Sequence, residues 1–350
     1  MVADHILTYA LGLDGGGVER AQLRLIEGWI AAGRRVTLVL GNRDGALADA
    51  IPAGTEVIDR DTHSYLRLAL RLGVIVADTR PDILFCAGSY YTGCAALARM
   101  RLGLAAPVIV GKVSNAADRG DHGIWLGIAH ARWLRYHGRF LDWLVAMTPA
   151  TADVAARAMR MEERVDVIPN PPAQPRSDSD PIALPPGRAI LGVGRLAPQK
   201  RWDRLINALG NLPPDVSLTI LGEGPLRAAL TEQAAAAGLA SRVHLPGQVG
   251  NPFAAMQAAR LVALTSDFEG VPGVLREALS VGTPVVATES SESIAEIISD
   301  PTLGTIVGRD DPAALVAALL HWLDAPRPKS VAMPGVDSAA RYLELFDRLV

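Results

Sequence analysis

The sequence is poor in cysteine: 350 residues contain only Cys86 and Cys94. With two thiols, no four-ligand metal site of familiar spacing can be assembled, nor the disulfide framework of a small secreted domain. Both stand among apolar or small neighbours and are expected to be buried thiols in a reducing compartment. No apolar run reaches the ~18 residues that a membrane-crossing helix requires. The opening, M-V-A-D-H-I-L-T-Y-A, lacks the basic region and long apolar core of a secretory signal. Excess positive charge is also missing. With a net charge of −3, a dedicated nucleic-acid binder is not expected. The reading is therefore a cytoplasmic chain with no nucleic-acid partner.

What is present is apolar material: 49% of residues are hydrophobic and 20% charged. That composition over this length fits two packed α/β domains. Apolar runs that suit buried strands fall at 6–10, 36–40, 56–58, 83–86, 108–111, 143–147 and 165–168. Helical periodicity falls between them at 18–32, 64–79, 92–101, 125–140 and 150–160. The alternation predicts a doubly wound parallel sheet over residues 1–168. Residues 169–187 are dense in proline, serine and aspartate and read as a linker. Asp178-Ser179-Asp180 within it mimics a D-x-D metal motif, but a loose linker is a poor metal site, and no metal is expected. A second α/β domain follows over 188–330, and 331–350 holds a terminal amphipathic helix, predicted at 337–349.

The most informative stretch is T-S-D-F-E-G-V-P-G-V-L-R-E-A-L-S-V-G-T-P-V-V-A-T, from Thr265 to Thr288. Apolar runs flank a loop with Gly270, Pro272 and Gly273 and a short helix, giving a βαβ unit whose ligands sit beyond the strands' carboxyl ends. Glu269 stands on the loop and Glu277 about one turn into the helix. The helix start near Gly273 and Val274 offers free N–H groups and a positive dipole end, which suit a phosphate. The two carboxylates can accept hydrogen bonds from hydroxyl-rich rings on either side. Upstream, Arg195 and Lys200 bracket a turn after the strand predicted at 189–193, and two cations there suit a diphosphate. Each feature also has a plainer reading, as surface charge or a helix-dipole partner. Near the start, Gly15, Gly16 and Gly17 follow the first strand as in phosphate-binding domains. They also fit a tight turn needing positive φ. The G-x-G-x-x-G spacing is not met, which argues against NAD.

Three segments in order carry a family resemblance. E-G-V-P-G-V-L-R-E-A-L-S-V-G-T-P-V-V-A-T resembles the E-x7-E signature of retaining glycosyltransferases of family 4, which have the GT-B fold. G-V-G-R-L-A-P-Q-K-R-W-D-R-L-I resembles that family's phosphate-binding segment, and D-G-G-G-V-E-R its glycine loop. The resemblance implies two Rossmann-like doubly wound parallel-sheet domains facing a central cleft, with the terminal helix crossing back to the first. It implies transfer of a sugar from a nucleoside diphosphate, UDP favoured, to a carbohydrate or lipid-linked acceptor in cell-envelope or exopolysaccharide synthesis. The transfer would be retaining and metal-independent. No cofactor is implied, since the nucleotide sugar is a substrate.

The implied roles follow the motif positions. Glu277 holds the ribose and Glu269 the donor sugar. Arg195 and Lys200, with the helix start at Gly273–Val274, neutralise the diphosphate. Gln248 and Val249 lie at the nucleobase turn, and Gly15, Gly16 and Gly17 line the donor and acceptor region. Many relatives place a histidine after the strand near 108–111, where this chain has Ser114 and Asn115; Asn115 or the later His122 is the candidate for its work. An epimerase or hydrolase on the same architecture, or a non-catalytic nucleotide-sugar binder, also fits the motifs. Residues 123–144 interleave Trp125, Trp133, Tyr136, Phe140 and Trp143 with Arg132, Arg135 and Arg139. That pattern fits a packed helix with a solvated arginine face, and also peripheral contact with the inner face of the membrane.

Overall fold

The computed structural model describes residues 1–114, 124–173 and 183–350. Asn115, His122, Asp178-Ser179-Asp180 and the middle of the expected linker lie outside the described residues. The chain divides into two compact units, Met1–Pro172 with Pro334–Val350, and Ala173–Met333.

Unit 1 holds β1 (His5–Ala10), α1 (Gly17–Ala31), β2 (Arg35–Leu40), β3 (Glu56–Asp59), α2 (Tyr65–Thr79), β4 (Ile83–Cys86), α3 (Thr92–Leu102), β5 (Val108–Lys112), α4 (Ile124–Tyr136), β6 (Trp143–Ala146), α5 (Pro149–Met159) and β7 (Val165–Val167). Its seven strands are parallel, in the order β3-β2-β1-β4-β5-β6-β7. Unit 2 holds β8 (Arg188–Val193), α6 (Trp202–Leu209), β9 (Val216–Leu221), α7 (Arg227–Ala236), β10 (Val243–Gly247), α8 (Phe253–Ala258), β11 (Leu261–Leu264), α9 (Gly273–Ser280), β12 (Val285–Thr288), α10 (Ser293–Ile297), β13 (Gly304–Val307) and α11 (Pro312–Asp324). Its six strands, also parallel, run β10-β9-β8-β11-β12-β13.

Local chemistry explains these elements. Central strands such as β1 and β9 are buried along their whole length, as expected where helices cover both faces of a sheet. Some helix starts carry side-chain caps. The Ser64 hydroxyl accepts from the Arg67 N–H, Thr148 and Thr151 cap α5 reciprocally ahead of Pro149, and Asp311 accepts from the Ala314 N–H before α11.

Several boundaries differ from the sequence expectation. The helix expected over 125–140 stops at Tyr136 and tightens into a single 3₁₀ turn, His137–Arg139, where Arg164 takes the Gly138 carbonyl at 3.1 Å. Helix α10 begins only at Ser293, because the Ser290 carbonyl is spent on the Glu269 N–H at 2.8 Å. Cys86 and Cys94 are both free and buried. Burial pushes their thiols up to about 11 and about 12, so they are protonated at neutral pH.

The last helix, α12 (Ser338–Leu349), belongs to unit 1. Its Tyr342 and Phe346 complete an aromatic cluster with Trp29 and Phe85. Ring centroids lie 5.3 Å apart for Trp29–Phe85, 5.5 Å for Trp29–Phe346 and 5.2 Å for Phe85–Tyr342. Ser338 and Arg341 donate to the carbonyls of Pro169 and Val167, both at 2.6 Å, which ties the helix to the chain leaving β7. The helix pair α1–α12 is close enough that a Cβ built on Gly28 would lie 2.4 Å from the Ala339 Cβ.

Gly28→Ala therefore sets two effects against each other. Helix propensity favours alanine by about 0.8–1 kcal/mol, whereas overpacking typically costs about 1–3 kcal/mol. Urea denaturation is expected to show net destabilisation, largely recovered in Gly28→Ala/Ala339→Gly. A stabilised single variant would contradict the packing of α12 on α1.

Candidate functional site

In open parallel sheets, ligands gather where the strand order reverses, beyond the strands' carboxyl ends. That point lies between β8 and β11 in unit 2 and between β1 and β4 in unit 1.

In unit 2 the chain leaves β8 at Gly194, whose φ of +153° favours glycine. A Cβ there would stand 3.1 Å from the Lys200 Cε, so the turn packs directly under that side chain. Pro198–Lys200 forms a 3₁₀ turn, Arg201 is left-handed at φ +49°, and α6 starts only at Trp202. The turn is sewn to the loop after β11. The Asp267 N–H donates to the Gln199 carbonyl at 2.9 Å, and the Gln199 side chain donates to the Phe268 carbonyl at 2.7 Å. The Thr265 hydroxyl reaches the Lys200 and Arg201 carbonyls at 3.1 and 3.0 Å. Asp267 also pairs with Arg201 at 3.2 Å and Arg204 at 2.7 Å.

This stitching brings Lys200 to Glu269, with Nζ 2.6 Å from Oε1. The Ser266 hydroxyl donates to the same oxygen at 2.6 Å. The pair is largely removed from water, with side-chain exposures of 17% and 10%. A pair this buried is costly to break, because removing one partner strands the other charge. From the far side, the Glu269 N–H donates to the Ser290 carbonyl, and the Ser293 hydroxyl donates to the Gly270 carbonyl at 2.9 Å.

The remaining unit 2 candidates are placed as follows. Arg195 shares the turn with Lys200; it is exposed, and no ion pair or hydrogen bond joins it to Glu269. Helix α9 opens at Gly273 after Pro272, with no side-chain cap, so the N–H groups of Gly273 and Val274 face outward from the helix start. Glu277 is half-buried one turn in. A Cβ on Gly273 would lie 3.8 Å from its Oε1, so the carboxylate runs beside that helix start. Gln248 is exposed and Val249 half-buried, directly after β10.

In unit 1, the positive-φ requirement applies to one residue of the glycine loop. Gly15 has φ +98°, whereas Gly16 is the N-cap of α1 at φ −67° and Gly17 is its first residue. A Cβ on Gly16 would collide with the Glu19 carboxylate, which folds back over the loop. Across the switch point, Ser114 and Ser89 exchange N–H-to-hydroxyl bonds at 3.0 and 3.2 Å, fixing the chain just after β5.

Sequence reading passed over Lys112, the last residue of β5. It is fully buried and donates to the Asn170 Oδ1 at 3.1 Å. Burial pushes its pKa down from 10.5 to about 8, opposed by the Glu19 carboxylate. A lysine ending an otherwise apolar strand was the available signal. Ser266, Gln199 and Asp267 were also missed; short polar residues beside a catalytic-looking glutamate gave no pattern to count.

The sequence matches the description "Glycosyltransferase Family 4" over residues 15–171 and "Glycosyl transferases group 1" over residues 180–334. It is 30% identical over 227 residues to a 2-deoxystreptamine N-acetyl-D-glucosaminyltransferase of Streptomyces fradiae, covering 59% of this chain and 54% of that protein. It is 34% identical over 135 residues to the N-acetylgalactosamine-N,N'-diacetylbacillosaminyl-diphospho-undecaprenol 4-alpha-N-acetylgalactosaminyltransferase of Campylobacter jejuni, covering 39% and 37%. The matched stretches thus span about half, or less, of the length of these curated relatives. The fold is that of Alr3699/HepE of Anabaena, solved with UDP and glucose. The TM-score is 0.74 at 20% identity, over 99% of this chain and 97% of that one.

Lys112 gives a pH test. Its native pKa lies below its unfolded one, so the cost of burying its charge is fully present below about pH 8 and is relieved as pH rises toward 10.5. Lys112→Met is expected to stabilise the protein at pH 7 by on the order of 2 kcal/mol, after losing the bond to Asn170. Its advantage should shrink above pH 8 in denaturant melts. Destabilisation at pH 7 would contradict the burial of a charged lysine.

Proposed function

Because the chain belongs to the family 4 glycosyltransferases of the GT-B fold, we propose that it is a retaining, metal-independent enzyme of the hexosyltransferase type. In this reading it moves a sugar from a nucleoside diphosphate, UDP favoured, to a carbohydrate or lipid-linked acceptor in cell-envelope or exopolysaccharide synthesis. The observation that carries this reading is the Lys200–Glu269 pair, held on Ser266 at the strand-order reversal of unit 2 beside the uncapped start of α9. The UDP and glucose bound by the Anabaena neighbour support the donor class, and the undecaprenol named for the Campylobacter relative supports a lipid-linked acceptor. An acceptor of that kind would bring the enzyme to the inner face of the membrane. Among the described residues, no helix is long and apolar enough to cross it.

The roles are those that the family resemblance implies, and the charges of these residues suit them. Lys200 and Arg195, with the N–H groups at Gly273 and Val274, stabilise the negative charge that grows on the departing diphosphate. Glu277 accepts from the ribose hydroxyls. The Glu269 Oε1 is held by Lys200 and Ser266, which orients the carboxylate so that Oε2 can accept from a donor-sugar hydroxyl. As the bond from the anomeric carbon to the β-phosphate oxygen breaks, the acceptor oxygen bonds to that carbon on the same face. Its proton passes to the departing phosphate oxygen. Gln248 and Val249 supply backbone groups to the base, and Gly15, Gly16 and Gly17 let donor and acceptor approach the unit 1 backbone.

A donor panel read by nucleoside-diphosphate release, with cell-envelope glycans as acceptors, is expected to show acceptor-dependent turnover with the anomeric configuration kept. Lys200→Ala should lower turnover by about 10²–10³. Near-full activity in that variant would reject its role. Donor consumption at an equal rate without acceptor would favour a hydrolase or epimerase.

A further inference from the structure

A second cationic site lies within unit 1. Arg132, Arg135, Tyr136, Gly138, Arg139 and Arg160 line a cavity of about 280 Å³ in unit 1. We propose that this cavity binds a phosphoryl-bearing anion.

Its position separates it from the glycine loop. Helix α4 ends just before β6 begins, and Arg160 caps α5 just before β7 begins. The cavity therefore sits at the amino edge of the parallel sheet, whereas the Gly15–Gly17 loop and Ser114 follow the carboxyl ends of β1 and β5. Strands of four to six residues put roughly 13–20 Å between the two edges.

The arginines are held in place by what lies beneath them. Trp133, Tyr136 and Phe140 turn inward as one group, with Trp133 and Phe140 stacked at 5.7 Å between centroids and Phe140 buried. The packed-helix expectation is thus met for these aromatics. On the same helix, Arg132 and Arg135, with Arg139 just beyond it, recur at spacings of three and four and face outward together. Arg139 lies over the Tyr136 ring at 5.3 Å, and Arg164 pins the carbonyls of Gly138 and Leu141 at 3.1 and 3.2 Å. Arg160 converges from α5.

None of these four guanidinium groups has a carboxylate within salt-bridge distance among the described residues. Elsewhere in unit 1, Arg34 and Arg99 are each paired with an aspartate. The negative carbonyl ends of α4 and α5 favour a cation near each, but that effect is local to a last turn and does not call for four converging charges. Guanidinium groups gathered with no paired carboxylate among the described residues repel one another, and a phosphoryl group offers the bidentate oxygens that relieve this. The cavity's size suits a small anion rather than a whole nucleotide sugar. Leu126 and Ile128 are exposed at 66% and 46% on the preceding turns of α4, so the phosphoryl group has two candidate sources, a free phosphate compound and an anionic lipid headgroup.

The test uses the full chain with UDP held saturating, so that any donor site is filled. Inorganic pyrophosphate is titrated by calorimetry, and binding to phosphatidylcholine vesicles with and without phosphatidylglycerol is measured by sedimentation. Binding to at least one probe is expected. Arg135→Gln/Arg139→Gln should weaken it by about tenfold or more, while Arg67→Gln/Arg71→Gln, an exposed pair on α2, should leave it unchanged. Pyrophosphate binding identifies a soluble ligand, and binding only to phosphatidylglycerol vesicles identifies a headgroup. No binding to either probe, or a loss shared equally by both variant pairs, overturns the proposal. Circular dichroism confirms folding, and Arg132→Gln carries the same comparison if the double variant fails to fold.

Discussion

The contact between Lys200 and Glu269 sets the geometry around it. A lysine and a glutamate so far from water are tolerated only because each neutralises the other and Ser266 adds a further hydrogen bond. The surrounding bonds hold two backbone segments at fixed separation. Gln199, Thr265 and Asp267 lock the β8 turn to the β11 loop, and Ser290 and Ser293 hold the far side of that loop. The result is an ammonium held at a fixed place on the Glu269 loop that leads into α9.

The same fold logic is used differently in the two units. Both place loops at a strand-order reversal, but unit 2 builds its site from charged side chains while unit 1 presents glycine backbone and a fixed pair of serines. Of the charges that unit 1 does hold there, the Glu19 carboxylate folds over the loop and Lys112 is buried beneath the surface. It is tied to Asn170, on the segment that Ser338 and Arg341 also grip. The end of β5, the exit from β7 and the returning helix α12 thus form one connected piece of structure, with its stability set partly by a lysine whose pKa is displaced by burial.

Much of this was readable before any coordinates. Buried parallel strands are near-continuous apolar runs, so β1, β4 and β11 stood out, and the alternation with helices dictated two doubly wound sheets. Glu269, Lys200 and Glu277 were recognisable because motif spacing around glycines constrains backbone shape. Less was legible where tertiary contacts decide. The stop at Tyr136 depends on Arg164, which is 28 positions away, and the late start of α10 depends on Glu269. Lys112 looked like an ordinary strand end because burial is a property of the folded sheet. Arg132, Arg135 and Arg139 were seen as a solvated face, since Arg160 joins them only through packing.

The central claim is that Lys200 recognises the second phosphate of a nucleoside diphosphate. Calorimetric titration of UDP and UMP into the wild-type protein and Lys200→Ala tests it directly. The account predicts that the wild type binds UDP about tenfold or more tightly than UMP, and that the variant loses most of this preference while keeping its affinity for UMP. Equal affinity for the two nucleotides in the wild type, or an undiminished preference in the variant, would contradict it.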